Sequence, residues 1–223
     1  MNFHVVILSC RASNLLACVT SILAREPGLP RRNIVVVDDG ARDEGEPLLP
    51  GVTWVAGEKP FIFARNTNAG IAAAGGDVFL MNDDARLLTS RGFTRLAREM
   101  SARPRVGVCS AGVRGVVGNP NQRACVYPVF RIERRALAFV CVYIRRRVYD
   151  QVGPLDVRYC GYGFDDNDYC TRVLSAGYLL AVWNGCHVDH SGELPSTFRT
   201  RPDLAVLFDQ NRKLYEEKWG SPA

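Results

Sequence analysis

With 223 residues, 47% of them hydrophobic and 23% charged, the chain is long enough to bury one sizeable core. No apolar run reaches the roughly 20 residues needed to span a bilayer, and the N-terminal run lacks both the basic leader and the length of a secretory signal. The formal net charge of +5 is carried mainly by arginine, as in Arg131-Ile132-Glu133-Arg134-Arg135 and Arg145-Arg146-Arg147. It reads as a solvated face first and as a surface for an anionic partner second.

Apolar runs alternate with helix-like stretches, the pattern of an α/β layer fold. Val5 to Leu8 is strand-like. Ser13 or Asn14 can cap a helix that carries Leu15, Leu16, Val19, Ile22 and Leu23 on one face, and Pro27 to Pro30 ends it. Ile34 to Val37 is a buried strand running into Asp38-Asp39-Gly40, and Val52 to Val55 is a short third strand. Asn66 to Ala74 reads as a helix stopped by Gly75-Gly76. Val78 to Met81 is a central strand ending at Asn82-Asp83-Asp84. A helix over about Ser90 to Ser101 follows. Val106 to Val129, rich in Gly, Pro and Asn, reads as strands and loops, and Ala138 to Ile144 as a strand. Asp165 to Ala176 reads as a helix with Gly177 as its stop. Leu179 to Trp183 is strand-like, and Pro202 to Trp219 reads as a surface helix.

The eight cysteines, at 10, 18, 109, 125, 141, 160, 170 and 186, form no CxxC pair and mostly lie in apolar runs. That fits reduced, buried thiols and a cytoplasmic setting. Cys186, His187 and His190 lack the second ligand pair of a structural zinc site.

In an open α/β sheet, ligands bind at the carboxyl ends of the strands. Ser9-Cys10-Arg11, Asp38-Asp39-Gly40 and Asn82-Asp83-Asp84 all fall there, and either Asp38 or Asp39 is a ligand candidate. A hard divalent cation takes oxygen ligands, and Mg²⁺ or Mn²⁺ tolerates one or two carboxylates plus phosphate oxygens. Asp84 is the best candidate ligand. Asn82 offers only a neutral oxygen. Asp165 and Asp166 stand at a helix start, where the positive end of the dipole keeps a carboxylate ionised, as a general base must be. Asp168 and Arg172, four apart, predict a structural ion pair. His190, after the last central strand and before Ser191-Gly192, is a further metal candidate, with His187 its rival.

Taken in order, Val35-Val36-Val37-Asp38-Asp39-Gly40, Phe63-Ala64-Arg65-Asn66-Thr67-Asn68-Ala69-Gly70, Gly76-Asp77-Val78-Phe79-Leu80-Met81-Asn82-Asp83-Asp84, Gly161-Tyr162-Gly163-Phe164-Asp165-Asp166-Asn167-Asp168 and His190 resemble the family 2 glycosyltransferases of GT-A fold. The resemblance implies a single Rossmann-like α/β domain with a mostly parallel, mixed central sheet flanked by helices. It places the glycosyltransferase domain over residues 1–200, with a nucleotide-sugar-binding half over 1–115, an acceptor and catalytic half over 116–200, and a helical tail over 201–223. It implies inverting transfer from a nucleotide-sugar, with UDP-sugars the commonest choice, to an acceptor hydroxyl. Asp38 or Asp39 would contact the base. Ser9, Arg11, Arg65, Asn68, Asn82 and Asp83 would line the donor pocket. Asp84 and His190 would hold Mn²⁺ or Mg²⁺, with Asn82 departing from the first acid of the D-x-D motif. Asp166, beside Asp165, would be the base.

The arginines between 123 and 147 are compatible with an anionic acceptor. A glycan or a lipid-linked sugar fits the class, and modified nucleic acid is a minor reading because no stacking aromatics recur. A nucleotidyltransferase would carry a glycine-rich loop where this chain reads Leu8-Ser9-Cys10-Arg11-Ala12-Ser13-Asn14. A non-catalytic nucleotide-sugar-binding module would have no need of both acidic clusters.

Overall fold

The computed structural model describes residues 3–43, 49–161, 163–192 and 202–220. Its strands are β1 (Phe3–Ser9), β2 (Ile34–Asp38), β3 (Thr53–Ala56), β4 (Asp77–Asn82), β5 (Arg86–Leu87), β6 (Val106–Gly115), β7 (Phe130–Glu133), β8 (Cys141–Ile144) and β9 (Leu179–His190). Its helices are α1 (Ala12–Arg25), α2 (Phe63–Ala73), α3 (Gly92–Ser101), α4 (Arg146–Val152), α5 (Asp165–Ser175) and α6 (Leu204–Trp219). The strands form one sheet in the order β3-β2-β1-β4-β8-β6-β9-β5, with β7 on β9. β3, β2, β1 and β4 are parallel, and β8 is antiparallel to both β4 and β6. β6 and β9 therefore run with β4, and the sheet is mixed but mostly parallel.

Alternation along the strands sends side chains to two cores. Val5, Ile7, Phe79 and Met81 pack with Leu15, Val19, Ile22, Phe93 and Leu96 of α1 and α3. Val6, Val35, Val37, Val78 and Leu80 pack with Ile71, Val148, Tyr169 and Val173 of α2, α4 and α5. Helix α2 sits so close to the sheet that a Cβ on Gly70 would lie 2.5 Å from Val6 Cγ1.

Several local expectations are corrected. Helix α1 begins at Ala12, with Arg11 in the extended cap conformation (φ −127°, ψ 116°), so neither Ser13 nor Asn14 caps it. The Asn14 amide instead bonds the Asp83 carboxylate. Helix α3 starts at Gly92, after Arg91 in a left-handed conformation (φ 52°). Its first N–H groups are met from a distance: buried Glu26 accepts from Phe93 N at 2.6 Å, Thr94 N at 3.2 Å and Thr94 Oγ1 at 2.6 Å. Glu26→Ala leaves those donors unpaired. It is expected to cost about 1–3 kcal/mol, read as a lower urea midpoint with an unchanged slope.

Of the Arg145-Arg146-Arg147 run only Arg147 is exposed, and all three side chains are engaged. Arg145 donates to the carbonyls of Met100, Arg103 and Val106, Arg146 to those of Ile71 and Ala74, and Arg147 to that of Pro104. These guanidinium groups close the carbonyl ends of α2 and α3, where a cation also meets the negative end of the dipole.

Candidate active site

Parallel strands that stop together place their last residues on one rim. Ser9 pairs with Asp38, Leu8 with Asn82, and Gly115 with His190. The antiparallel β8 begins at the same rim, where Asn82 N donates to Val140 O at 2.9 Å. A cleft of about 740 Å³ opens there, within the size range of small-molecule sites. Ser9, Asp39, Asn82, Asp83, Asp84 and His190 line it, and so do Asp165 and Asp166.

Ser9 Oγ donates to Asp83 Oδ2 at 2.6 Å and accepts from Arg11 N at 3.3 Å. Burial pushes the Asp83 carboxyl up to about 7; the Ser9 hydrogen bond opposes the rise and the neighbouring Asp84 charge adds to it.

His190 is the last residue of β9, not a residue beyond the strand as expected, and is 7% exposed. Its Nδ1 lies 2.5 Å from the Val116 carbonyl, which can only accept, so Nδ1 carries a proton. Its Nε2 lies 3.2 Å from Asp84 Oδ1. In the neutral ring Nε2 bears a lone pair, so two acceptors face each other and require a proton or a cation between them. An imidazole whose other N–H is held by a backbone carbonyl is a usual metal-ligand arrangement. The residues present therefore fit a divalent ion. Among the described residues no group of three or more His, Cys, Asp or Glu side chains converges. Asp84 and His190 are a two-ligand set, of the kind that phosphate oxygens and water complete. His187 does not line the cleft. It sits three residues back on the strand, with its N–H on Thr89 Oγ1 at 2.9 Å.

Asp165 and Asp166 open α5, after Gly163 (φ 86°) and the left-handed Phe164 (φ 68°). Asp166 Oδ1 accepts from Asn167 N at 2.8 Å. The helix start was expected to keep these acids ionised. Burial among the cleft's apolar walls outweighs it, and both carboxyls are raised. The Asp166 charge adds to the rise at Asp165, while N–H groups of Asn167 and Phe139 oppose the rise at Asp166. Asp168 is fully buried and pairs with Arg172 at 2.8 Å, as its spacing predicted.

Other predicted residues lie off the cleft. Asp38 Oδ1 accepts from the N–H groups of Gly40 at 3.1 Å and Arg42 at 3.3 Å, turning the loop after β2. Its neighbour Asp39 is the one that faces the cleft. Asp39 pairs with Lys59 at 2.8 Å, and burial raises its carboxyl against that pairing. Arg65 holds the loop at Glu58 and Pro60. The Asn68 side-chain amide is engaged by Leu155 and Tyr149, its oxygen accepting from Leu155 N at 2.9 Å and Tyr149 OH at 3.0 Å and its nitrogen donating to Leu155 O at 2.8 Å. Arg11 supports the first turn of α1. Sequence reasoning missed Lys59, the Val116–Pro120 segment, Phe139 and Phe208, of which all but Lys59 line the cleft. Only Phe208, an exposed aromatic near exposed Val206 on α6, offered a signal.

Among solved structures, GalNAc-T7 with UDP, GalNAc and Mn²⁺ superposes with a TM-score of 0.74 at 15% identity, covering 98% of this chain and 48% of that one. A mannosyltransferase from Pyrobaculum calidifontis, PcManGT, in complex with GDP-Man and Mn²⁺, superposes with a TM-score of 0.63 at 18% identity, covering 88% and 58%. These likenesses show the GT-A fold. A curated relative, the uncharacterized protein y4gI of Sinorhizobium fredii, is 26% identical over 237 aligned residues, which cover 92% of this chain and 26% of that protein. The chain thus spans about a quarter of that relative's length. The glycosyl transferase family 2 profile matches residues 5–140, more than half of the chain, and by that match the chain belongs to glycosyl transferase family 2.

Proposed function

We propose that this chain transfers a sugar from a nucleoside diphosphate to an acceptor hydroxyl, with inversion at the anomeric carbon. The observation that carries this reading is one cleft lined by both the Asp84–His190 set and the raised Asp165–Asp166 pair. Residues 1–115 form the donor half, residues 116–200 the acceptor half, and residues 201–223 a tail that carries α6. Asp39 meets the base, with Lys59 beside it. Asp84 and His190 would hold Mn²⁺ or Mg²⁺, and the ion, when bound, would offset charge on the departing diphosphate. Asp83, fixed by Ser9 and Asn14, and the neutral amide of Asn82 complete the donor wall.

Asp166 takes the acceptor proton. As its carboxylate removes the hydroxyl hydrogen, the oxygen bonds the anomeric carbon and the bond to diphosphate breaks. A single displacement inverts configuration. The Asn167 N–H holds Asp166 in place, and the apolar walls exclude competing water. Arg135 lines the cleft and is exposed, so acceptors carrying negative charge are the first to test.

The test incubates the protein with Mn²⁺ and a panel of UDP- and GDP-sugars and follows nucleoside diphosphate release. Release from one donor that EDTA abolishes supports the reading. Metal-dependent donor binding with no turnover for any donor and acceptor would make the chain a binding module instead.

A pH profile adds a second check. The base works ionised, and its pKa is raised. Activity is therefore full above the raised value and falls as pH drops through it. The acid limb of kcat/KM is expected above the ordinary carboxylate range of about 4. A limb at or below that range contradicts the assignment.

A further inference from the structure

We propose that Asn211 of α6 is a positioning residue that sets the aim of the Asp165–Asp166 pair. The inference deepens the transferase reading and rests on it. Helix α6 packs Tyr215 and Leu214 against Tyr159 and Phe164, and Asn211 is the one polar side chain it buries. Asn211 is 2% exposed. Its side-chain amide donates to two carbonyls, Cys160 O at 2.8 Å and Gly163 O at 2.9 Å. The second of these belongs to the residue just before Phe164, whose left-handed backbone (φ 68°) leads directly into Asp165. A non-glycine residue persists in that conformation only where its surroundings hold it.

The glycines admit the helix. A Cβ on Gly161 would lie 2.5 Å from Leu207 Cδ1, and one on Gly163 would lie 2.9 Å from Phe208 Cδ2. Phe208 lines the cleft, and its ring meets that of Phe164 at 5.1 Å. On the other side of the acid pair, α6 is anchored to α5. Lys218 Nζ and Trp219 Nε1 donate to Asp168 Oδ1 at 2.7 and 2.8 Å, and Tyr215 OH lies 2.7 Å from Thr171 Oγ1. The acids thus sit between two attachments to one helix. Asn211 is the attachment on the turn that aims them, and its amide donates to both carbonyls. An apolar side chain there leaves the two carbonyls unpaired.

The test compares Asn211→Ala and Asn211→Asp with wild type in donor kinetics, in Mn²⁺-dependent UDP and GDP affinity, in pH profile, and in hydrogen exchange of the peptide covering residues 160–166. We expect kcat to fall about 10- to 100-fold, because a shift near 1 Å in a catalytic group costs this much. Donor KM and diphosphate affinity should hold within about twofold, since the metal side of the cleft is untouched. The acid limb should move, and exchange should quicken in 160–166 more than elsewhere. Unchanged kcat and unchanged local exchange in either variant overturn the proposal, as does faster exchange spread evenly over the chain. Should Asn211→Ala not fold, Asn211→Asp keeps the size, removes both N–H donors and carries the same expectations. If wild type turns over no donor, the transferase reading fails. The exchange data then still decide whether Asn211 holds the turn: selective quickening supports the tie, and its absence overturns it.

Discussion

Asp166→Asn is expected to lower kcat by about 10²- to 10⁴-fold, the range a positioned general base contributes, while donor affinity stays near the wild-type value. The substitution keeps the shape of the side chain and its bond from Asn167 N. It removes the group that receives the acceptor proton. Because Asp166 stands with Asp165 at the start of α5 and Asp84 in the turn just after β4, the change leaves the donor-holding strands intact. The KM-against-kcat split distinguishes this from collapse of the cleft: a rise in donor KM with kcat unchanged would make Asp166 a donor-binding residue. Asp165→Asn is the companion. Asp165 is the more buried of the pair, and it is the Asp166 charge that raises Asp165 rather than the reverse, so Asp165 is neutral while Asp166 ionises and its substitution should leave the acid limb in place.

Asp84→Asn and His190→Gln are expected to weaken Mn²⁺-dependent diphosphate binding by about 100-fold or more, since loss of a residue that merely supports a ligand already costs 10- to 100-fold. The argument is the orientation of His190. Its Nδ1–H is committed to Val116 O, so Nε2 faces Asp84 at 3.2 Å with a lone pair that asks for a cation. In each variant one of the facing acceptors is neutral and weakly binding. Calorimetry with and without Mn²⁺ reads the effect. The loss should vanish when EDTA is present for wild type and variants alike. A metal effect that survives both substitutions would place the ion elsewhere.

Much of the fold was legible because short apolar runs between helix-like stretches leave few arrangements for β1, β2 and β4, and their ends carry the polar motifs. The site was legible for the same reason: the acids follow strand ends or open a helix. What escaped depends on contacts distant in sequence. The cap of α3 comes from Glu26, 67 residues before Phe93. Helix α4 was hidden by an arginine run whose charge suggested solvent, although its guanidinium groups serve carbonyls. Strand β9 runs on to His190, past Asn184-Gly185, where polar and glycine residues break the apolar signal and the ladder with β6 shifts register. Asp38 and Asp39 have the same neighbours in sequence, and only the turn after β2 decides which one faces the cleft. Helix α6 read as a surface helix because much of its docking is polar, through Asn211, Lys218 and Trp219, and its apolar contacts, through Leu214 and Tyr215, are few.

The central claim is that the cleft binds a nucleoside diphosphate through a metal held by Asp84 and His190. Titrating UDP and GDP into the protein by calorimetry, with Mn²⁺ and then with EDTA, tests it without any knowledge of the acceptor. The account predicts saturable binding of one nucleotide with Mn²⁺ that EDTA and Asp84→Asn both abolish. Binding that is indifferent to metal, or no binding of either nucleotide, would contradict it.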